Sequence, residues 1–370
     1  MGRFVLYTHT RWDEAARIRH QIARLLRDAG HDVLFIERGI SAWQGPAVGP
    51  ALVEPGIWLA RPTRLMHHQI RLMPSMHRIE AGHASAQCIQ AVDRWCGAAE
   101  HTIVNFALDG WFLRDAFPNN RIVTVIHDDF EAQSRLPFRG HITWPLARTC
   151  RMSNDVFAVS VPLVERLSSW CSPQLLLPWA VDRYRSPTNS AMKRDVLLFW
   201  GTIDNAIDLN MVKALSTRLL ATRPTAHIML VGPTQTAGAR DRIVHELSPC
   251  ANLTIHGRTN LDDLPLERVL AGILPYRRSA AVDCVTLANK SMQILARGIP
   301  LAISAMPAFL QKPFIVRLDG AGGIDEALNQ CDASALRWQP AIREFCAEND
   351  PASALHKLGV VSIDQTRTAD

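Results

Sequence analysis

Short apolar runs alternate with longer amphipathic stretches from the first residues of this sequence. Phe4–Tyr7 is an apolar run, residues 16–29 carry apolar positions three to four apart, and residues 31–37 are mostly apolar again. A short apolar run predicts a buried strand, and a spacing of three to four residues predicts a helix. A strand, a helix and a strand in close succession are typical of a parallel sheet with crossover helices.

The same alternation predicts elements along the rest of the chain. Further strands are predicted at 56–59, 101–105, 121–126, 155–160, 174–178, 195–200, 226–231, 253–256, 272–275, 300–304 and 314–318. Further helices are predicted at 63–98 (interrupted near Pro74), 109–116, 161–170, 208–222, 236–247, 264–271, 287–297, 305–311, 323–330 and 335–360. The polar stretch 183–194 breaks both periods and predicts a linker, and the last ten residues are predicted to be frayed. The pattern therefore predicts two doubly wound α/β halves joined near residue 185.

Length, composition and charge exclude several classes of protein. The chain has 370 residues, of which 20% are charged, and these values predict a folded soluble protein. No apolar run approaches the roughly 20 residues that cross a bilayer, and no secretory signal pattern is present, so we expect a cytoplasmic location. Because the net charge is only +5 and no recognisable module is present, no nucleic-acid partner is expected.

Arginine supplies 35 of the 40 basic residues, and the first half of the chain holds most of the positive excess. Arginine pairs well with phosphate and carboxylate, so the excess indicates either an anionic partner or membrane surface, or an ordinary solvated surface. Residues 61–78 mix arginines with apolar residues, which indicates a membrane-surface segment or a core helix with a basic exposed face. The histidines of that stretch, His67, His68 and His77, lack carboxylate or Cys partners, so no metal site is predicted.

The residues that follow each predicted strand are the first candidates for a site, because open parallel sheets bind ligands at the carboxyl ends of their strands. In the second half these residues include Gly201 with Thr202, Gly232 and Tyr276. Glycine lets a ligand approach the main chain, and a following helix N-terminus attracts an anion. Glycine is also the ordinary turn residue, but several such turns in one half indicate a phosphate-bearing ligand.

Cationic and amide side chains follow the later strands of the second half. Asn289 and Lys290 begin a predicted helix, Gln293 comes one turn later, and Arg277 closely follows the strand ending at Pro275. A Lys in the first turn opposes the helix dipole unless an anion is bound there, and a solvated Lys is the alternative. We expect these cations to contact the anion, and Gln293 to contact a ribose or a base edge.

Two adjacent carboxylates end the predicted strand 121–126. Asp128 and Asp129 follow His127 there, and neighbouring side chains at a strand end point in different directions. One of the two carboxylates is expected to face the ligand and to act as a general base toward a hydroxyl. A helix N-cap or a solvated turn is the structural alternative.

Several well-known motifs are absent from the sequence. It contains no GxGxxG, Walker A, HExxH or GxSxG motif, and no Asp-x-Asp pair. The missing GxGxxG disfavours a nicotinamide dehydrogenase. The missing Asp-x-Asp disfavours a divalent metal bound to a diphosphate.

The order of these motifs resembles that of the GT-B glycosyltransferases. The resemblance covers about residues 100–330 and is carried by Val156–Ser160, Leu163–Leu167, Leu177–Asp182, Leu198–Asp204, His227–Pro233, Asn252–Gly257, Gly272–Tyr276 and Asn289–Pro300. The sequence is most similar to bacterial polysaccharide-assembly enzymes, such as the glucuronosyltransferase of xanthan assembly. Gln293 stands where many retaining members have a Glu, and Asp283 only loosely matches the first Glu of their pair. The resemblance therefore favours an inverting reaction.

The resemblance implies two Rossmann-like doubly wound domains that face each other across a cleft. Residues 1–182 would bind the acceptor, with His9 and Arg11 at the end of the first strand as acceptor-binding residues. Residues 183–334 would bind the nucleotide sugar, and the helical tail 335–370 would pack back on the first domain.

The activity implied is transfer of a hexosyl or glucuronosyl group from a UDP- or GDP-sugar to a hydroxyl of a glycan, lipid-linked or small-molecule acceptor. The glycine turns, Lys290 and Arg277 would hold the diphosphate without a metal or a further cofactor. Asp128 would be the base, with Asp129 as the alternative. Such an enzyme would work in the bacterial cytoplasm, in peripheral contact with the inner membrane. An epimerase of the same fold and a non-catalytic nucleotide-sugar-binding protein are the alternatives.

Overall fold

Two compact units make up the chain, one formed by Met1–Leu177 with Pro351–Asp370 and the other by Pro178–Asp350. The computed structural model describes residues 2–14, 17–66, 74–133, 140–180, 184–185, 193–234 and 237–360. The domain limits expected from the sequence, after 182 and after 334, stay predictions. The first of these limits, most of the predicted linker and the last ten residues lie outside the described residues.

The first unit is built on a mostly parallel sheet. Its strands are β1 (Arg3–Tyr7), β2 (Asp32–Ile36), β3 (Ile40–Ser41), β4 (Val48–Glu54), β5 (Ile57–Arg61), β6 (Thr63–Arg64), β7 (Thr102–Asn105), β8 (Ile122–Ile126), β9 (Asp155–Ala158) and β10 (Gln174–Leu175). Eight of them form one sheet in the order β10-β9-β8-β7-β1-β2-β5-β4, in which only the β4–β5 pair is antiparallel. β3 and β6 form a separate parallel ribbon. The strand order reverses between β1 and β7, which is the switch point where such sheets bind ligands.

The second unit is built on a fully parallel sheet. Its strands are β11 (Val196–Trp200), β12 (His227–Val231), β13 (Leu253–His256), β14 (Val269–Pro275), β15 (Leu301–Ser304) and β16 (Ile315–Arg317). Their order is β13-β12-β11-β14-β15-β16, so the switch point lies between β11 and β14. Every residue of β14 is buried, as expected for a parallel strand that is covered on both faces.

Helices connect the strands of both units. They are α1 (Ile18–Asp28), α2 (Pro74–Cys96), α3 (Leu113–Ala116), α4 (Phe130–Gln133), α5 (Gly140–Met152), α6 (Val161–Leu167), α7 (Leu209–Thr222), α8 (Ala237–Leu247), α9 (Ala280–Asp283), α10 (Asn289–Leu295), α11 (Gly323–Ser334), α12 (Gln339–Glu348) and α13 (Pro351–Lys357). α13 belongs to the first unit, where Arg121 donates to the carbonyl of Leu358 at 3.0 Å just beyond it. Within the described ranges, no helix is both long and apolar enough to cross a membrane.

Several predicted elements are wrong. Residues 266–268 form a 3-10 turn and β14 starts at Val269, so no helix spans 264–271, and residues 305–311 contain no helix. The predicted helix 63–98 begins only at Pro74 among the described residues, because Thr63–Arg64 is a strand. β4 and α5 were not predicted. A buried parallel strand has no alternation of polar and apolar residues, so the apolar run of β14 was assigned partly to a helix.

Candidate functional site

Two glycine turns and a lysine meet at the switch point of the second sheet. Gly201 follows β11 and Gly232 follows β12, with φ angles of +143° and +150° that favour glycine. A Cβ atom on Gly232 would lie 1.9 Å from the carbonyl oxygen of Gly201, and one on Gly201 would lie 2.7 Å from Nζ of Lys290. The two main-chain turns are therefore in contact, and the lysine ammonium lies directly against the first of them.

Aromatic rings hold the Lys290 ammonium in place. Nζ lies 4.1 Å from the centroid of the buried Phe199 ring on β11 and 5.4 Å from the Tyr276 ring that follows β14. A cation over an aromatic face is attracted by the ring electrons, so these rings fix the charge without neutralising it. The result is a positive charge beside two close-packed main-chain turns, an arrangement that suits a phosphate group.

The other predicted donor-site residues lie around this cluster in different environments. Asn289 precedes Lys290 at the start of α10, and its buried Oδ1 has no hydrogen-bond partner among the described residues. Thr202 and Arg277 are exposed beside the turns. Gln293 is buried and donates from Nε2 to the carbonyl of Trp179 at 3.2 Å, so it ties α10 to the main chain near residue 179. The structure thus brings the predicted donor residues to one sheet end, with Gln293 already engaged by the protein.

A histidine–aspartate pair occupies the switch point of the first sheet. Nε2 of His9, just after β1, lies 2.8 Å from Oδ1 of Asp109, which follows β7. Asn105 shapes the turn that carries the aspartate, since its Oδ1 accepts from Ala107 N at 2.9 Å and its Nδ2 donates to Thr124. The two side chains are 27% and 9% exposed, so the pair is open on the histidine side.

A cavity in the first unit contains this pair. The polar residues that line it are His9, Glu37, Arg38, Thr63, Arg64, His77, Glu80 and Asp109. The fully buried Glu37 accepts from the main-chain N of Trp12 at 2.7 Å and from Arg61. Arg11, predicted to contact an acceptor, pairs instead with Asp13 at 2.7 Å on the surface and does not line the cavity.

Asp128 and Asp129 have different surroundings at the end of β8. Asp129 is buried, accepts from Ala132 N at 3.0 Å at the start of α4, and forms an ion pair with Arg166 of α6. The Asp128 side chain is 37% exposed, and its Oδ2 lies 3.3 Å from Nε2 of His127. Asp129 therefore caps α4, the structural role that the sequence analysis gave as the alternative to a general base. Asp128 has the accessible carboxylate.

Arg19 of α1 lies beside these residues. It contacts Nε2 of His127, and burial together with that cation holds the pKa of His127 well below its usual range. Burial and the neighbouring Arg17 lower the pKa of Arg19 to about 10, while Asp128 opposes this shift. Near pH 7 Arg19 is therefore charged and the imidazole of His127 is neutral.

In the part of the chain that the structure describes, no group of three or more His, Cys, Asp or Glu residues could hold a metal ion. His67 and His68 lie outside the described residues.

Comparisons with known proteins identify the fold. No protein-family model and no curated protein matches the chain. Among solved structures, it is similar to a sucrose-phosphate synthase from Thermosynechococcus elongatus, with a TM-score of 0.67, 14% identity, and 97% of this chain and 98% of that chain covered. Like its other neighbours, that enzyme is a GT-B glycosyltransferase. This chain has the GT-B fold.

Two further GT-B structures cover the chain almost completely. One, described as trehalose-6-phosphate from E. coli bound with UDP-2-fluoro glucose, has a TM-score of 0.64 and 13% identity and covers 96% of this chain and 98% of its own. An α,α-trehalose-phosphate synthase (UDP-forming) from Burkholderia xenovorans, in complex with glucose-6-phosphate, has a TM-score of 0.65 and 12% identity. It covers 96% of this chain and 99% of its own. The fold class predicted from the sequence is confirmed.

Several residues of both switch points were not among the predicted site residues. Asp109 closely follows a predicted strand, so the rule used for Gly201 could have selected it. Phe199 lies inside a strand that was predicted only as core. Nothing in the sequence signals that Arg19, 108 residues from His127, contacts it.

Proposed function

We propose that this GT-B protein transfers a sugar from a nucleoside-diphosphate sugar to a hydroxyl group. The observation that carries the proposal is the second-unit cluster, in which Lys290 lies against the Gly201 turn at the switch point. A fixed cation and close main-chain turns suit the charge that develops on a leaving diphosphate. The names of two structural neighbours, which mention UDP and a UDP-sugar analogue, support a UDP-sugar as donor, with a GDP-sugar as the alternative.

In this proposal the first unit binds the acceptor, and the cavity around His9 is its site. Asp128 is the general base, because its carboxylate is accessible while that of Asp129 is engaged. The His9–Asp109 pair is the competing base, since a carboxylate that orients an imidazole favours proton transfer from a hydroxyl. The transferred group is a hexosyl or glucuronosyl group, and the reaction inverts the anomeric configuration.

The acceptor is a glycan, a lipid-linked sugar or a small sugar. The bound glucose-6-phosphate in the Burkholderia structure supports the last of these, and the sequence resemblance supports the first two. We further propose that Lys290 and the arginines neutralise the diphosphate without a metal ion. A cytoplasmic role in bacterial polysaccharide assembly completes the proposal.

Nucleotide binding tests the donor site. Thermal unfolding of the full chain is measured with UDP, GDP, ADP, CMP and NAD, each with Mg²⁺ and with EDTA. We expect one nucleoside diphosphate to stabilise the protein equally under both conditions, because a ligand at 100 times its Kd adds about 2.7 kcal/mol. Lys290→Ala should weaken that binding by roughly 10- to 150-fold, because one charged hydrogen bond worth about 1.5–3 kcal/mol is lost.

Lys312→Ala is the matched control, because Lys312 of the same unit also lies over an aromatic ring, 5.3 Å from that of Phe345. Its nucleotide affinity should equal that of the unchanged protein. Binding of NAD alone, or equal loss in both lysine variants, would contradict the donor-site assignment. Turnover of the nucleotide sugar without an acceptor would indicate an epimerase, and binding without turnover a non-catalytic protein.

A further inference from the structure

Two cysteines of the first unit lie against each other beside α6. Cys150 is 1% exposed and lies in the last turn of α5, and the partly exposed Cys171 follows α6. Cys150 belongs to a hydrophobic cluster that also contains Leu167 of α6, and Cys171 packs against the same cluster. The Cys150 thiol donates a hydrogen bond to the sulfur of Cys171. The two thiols are therefore in contact, although β9 and α6 separate them along the chain.

The turn that ends α6 fixes the position of Cys171. The main-chain N–H groups of Trp170 and Cys171 both donate to the carbonyl of Leu167, at 2.8 and 3.2 Å. The thiol of Cys171 lies 3.6 Å from the same carbonyl oxygen. The next residue, Ser172, is exposed. Cys171 is thus held against the cluster while it remains partly accessible to solvent.

The two thiols differ in acidity. The hydrogen bond from Cys150 lowers the pKa of Cys171, and the same hydrogen bond together with burial raises the pKa of Cys150. Burial raises the pKa of Cys88 to about 12, and it also raises the pKa of the partly exposed Cys96 at the end of α2. Because the thiolate is the reactive form of cysteine, Cys171 is the more nucleophilic member of the pair.

An accessible cysteine of lowered pKa beside a second thiol is the arrangement found in cysteines that are oxidised reversibly. We propose that Cys171 and Cys150 form a peroxide-sensitive pair, which is oxidised to a disulfide that joins α5 to the segment after α6. The pair lies where β8 begins, since Asn154 N, just after α5, donates to the carbonyl of Ile122 at 2.8 Å. Asp128 follows the other end of that strand, so the proposal does not depend on the transfer reaction.

Hydrogen peroxide is the oxidant in this proposal, and the reaction has two steps. The Cys171 thiolate attacks one peroxide oxygen, so that an S–O bond forms, the O–O bond breaks, and hydroxide leaves. The sulfur of Cys150 then attacks the sulfenic sulfur, so that the S–S bond forms, the S–O bond breaks, and a second hydroxide leaves. The two hydroxides take up the two thiol protons. Two thiols and one peroxide therefore give one disulfide and two water molecules.

The disulfide should stabilise the first unit. It closes a loop that contains β9 and α6, and closing such a loop reduces the conformational freedom of the unfolded chain. We expect the thermal midpoint of the full chain to rise by about 3–10 °C after oxidation. Reduction with dithiothreitol should reverse the shift, because the disulfide is the cause.

Peptide mapping of the full chain tests the proposal. The reduced protein is treated with a small excess of hydrogen peroxide, free thiols are alkylated, and the unreduced digest is examined by mass spectrometry. We expect a cross-linked peptide that contains Cys150 and Cys171 and is lighter than its two parts by two hydrogen atoms. Cys171→Ser should lose this peptide and the thermal shift. Cys150→Ser should instead leave a sulfenic acid on Cys171 that dimedone traps, because the second thiol is missing.

Cys96→Ser is the matched control, because Cys96 is also partly exposed and its thiol lies 3.8 Å from the carbonyl oxygen of Gly97. It should form the cross-link as the unchanged protein does, and the thermal midpoints of the reduced variants show that each folds. The proposal is overturned if peroxide forms no bond between Cys150 and Cys171 in the unchanged protein. It is also overturned if Cys171 becomes sulfinic acid while Cys150 stays free, or if Cys96→Ser abolishes the cross-link.

Discussion

At the scale of single residues, two neighbouring carboxylates at the end of β8 differ in their burial and in their partners. Asp129 is buried, caps α4 through Ala132 N and pairs with Arg166. Asp128 is partly exposed and lies near the neutral His127. Removing the charge of a buried carboxylate that accepts hydrogen bonds lowers stability, whereas changing an exposed carboxylate has little effect on stability. Measurements of stability and of reaction rate in variants of Asp128 and Asp129 should therefore distinguish their roles.

We predict that Asp129→Asn mainly lowers stability and that Asp128→Asn mainly lowers the rate of transfer. The first should lower the free energy of unfolding by roughly 1.5–3 kcal/mol, because the buried Asp129 side chain loses a charged hydrogen bond to Arg166, which keeps Glu131 as its second partner. The second should change it by less than about 0.5 kcal/mol and slow sugar transfer by about 10²- to 10⁴-fold, the contribution of a general base. Urea unfolding and initial rates of product formation measure the two quantities.

Asp109→Asn supplies the contrasting measurement for the base. If Asp128→Asn keeps the rate of the unchanged protein while Asp109→Asn loses it, the base is the His9–Asp109 pair and the Asp128 assignment is wrong. Folding of each variant is checked by its urea midpoint. Nucleotide affinity should stay unchanged in both, because neither residue belongs to the second unit.

At the scale of elements, the turns after β11 and β12 require glycine because their two main-chain segments are in contact. Gly232 lies against the carbonyl of Gly201, and Gly201 lies against the flexible end of Lys290. A clash with a side-chain end can be relieved by rotation, but a clash with a main-chain carbonyl requires the strands to move. Both glycines also have positive φ angles, which strain any other residue.

We predict that Gly201→Ala folds and binds nucleotide weakly, while Gly232→Ala is much less stable. Strain alone should cost each variant about 1–3 kcal/mol. Only Gly232→Ala adds a main-chain clash, and only Gly201→Ala displaces the Lys290 ammonium directly. Urea unfolding together with nucleotide titration distinguishes the two results.

Gly238→Ala on α8 is the control for these glycines, because a Cβ there would meet nothing within 4 Å. It should raise the free energy of unfolding by less than about 1 kcal/mol, because Gly238 lies in the first turn of the helix and not in its interior. Equal stability of Gly201→Ala and Gly232→Ala would contradict the main-chain contact between the two turns.

At the scale of the whole molecule, histidines with a lowered pKa in both units should make stability depend on pH. Burial lowers the pKa of His20 and His227, and burial with Arg19 lowers that of His127 strongly. Each of these histidines has a lower pKa in the folded chain than in the unfolded chain. Below about pH 6.5 the unfolded chain therefore binds more protons than the folded chain. Stability from these groups is therefore present above that pH and is lost as the pH falls.

We predict that the free energy of unfolding falls as the pH is lowered from 7 to 5.5. His20 and His127, whose side chains are largely buried, each contribute a slope of up to about 1.4 kcal/mol per pH unit in this window, and the partly exposed His227 contributes less. His127→Asn should reduce the slope, because Asn takes up no proton when the chain unfolds. Urea unfolding at a series of pH values measures the slope. An equal slope in the variant would contradict a neutral His127 in the folded protein.

The sequence by itself determined the positions of those strands and helices whose apolar residues recur at a regular spacing. The strands β1, β2, β8, β11, β12, β13, β15 and β16 and the helices α1, α7, α8 and α11 lie close to their predicted positions, because their apolar spacing reflects burial directly. The fold class followed from the alternation of these elements. The candidate donor residues followed too, because parallel sheets place ligands at the carboxyl ends of their strands.

Only the tertiary structure decided which of these residues meet. His9 and Asp109 are 100 residues apart, and Phe199 and Lys290 are also far apart in sequence, yet each pair is in contact. The choice between Asp128 and Asp129 as the accessible carboxylate depends on which of the two side chains is buried by a distant element. Periodicity along the chain records which side of an element is buried, but not which neighbour covers it. For that physical reason the residues could be proposed from sequence, while their pairing required the fold.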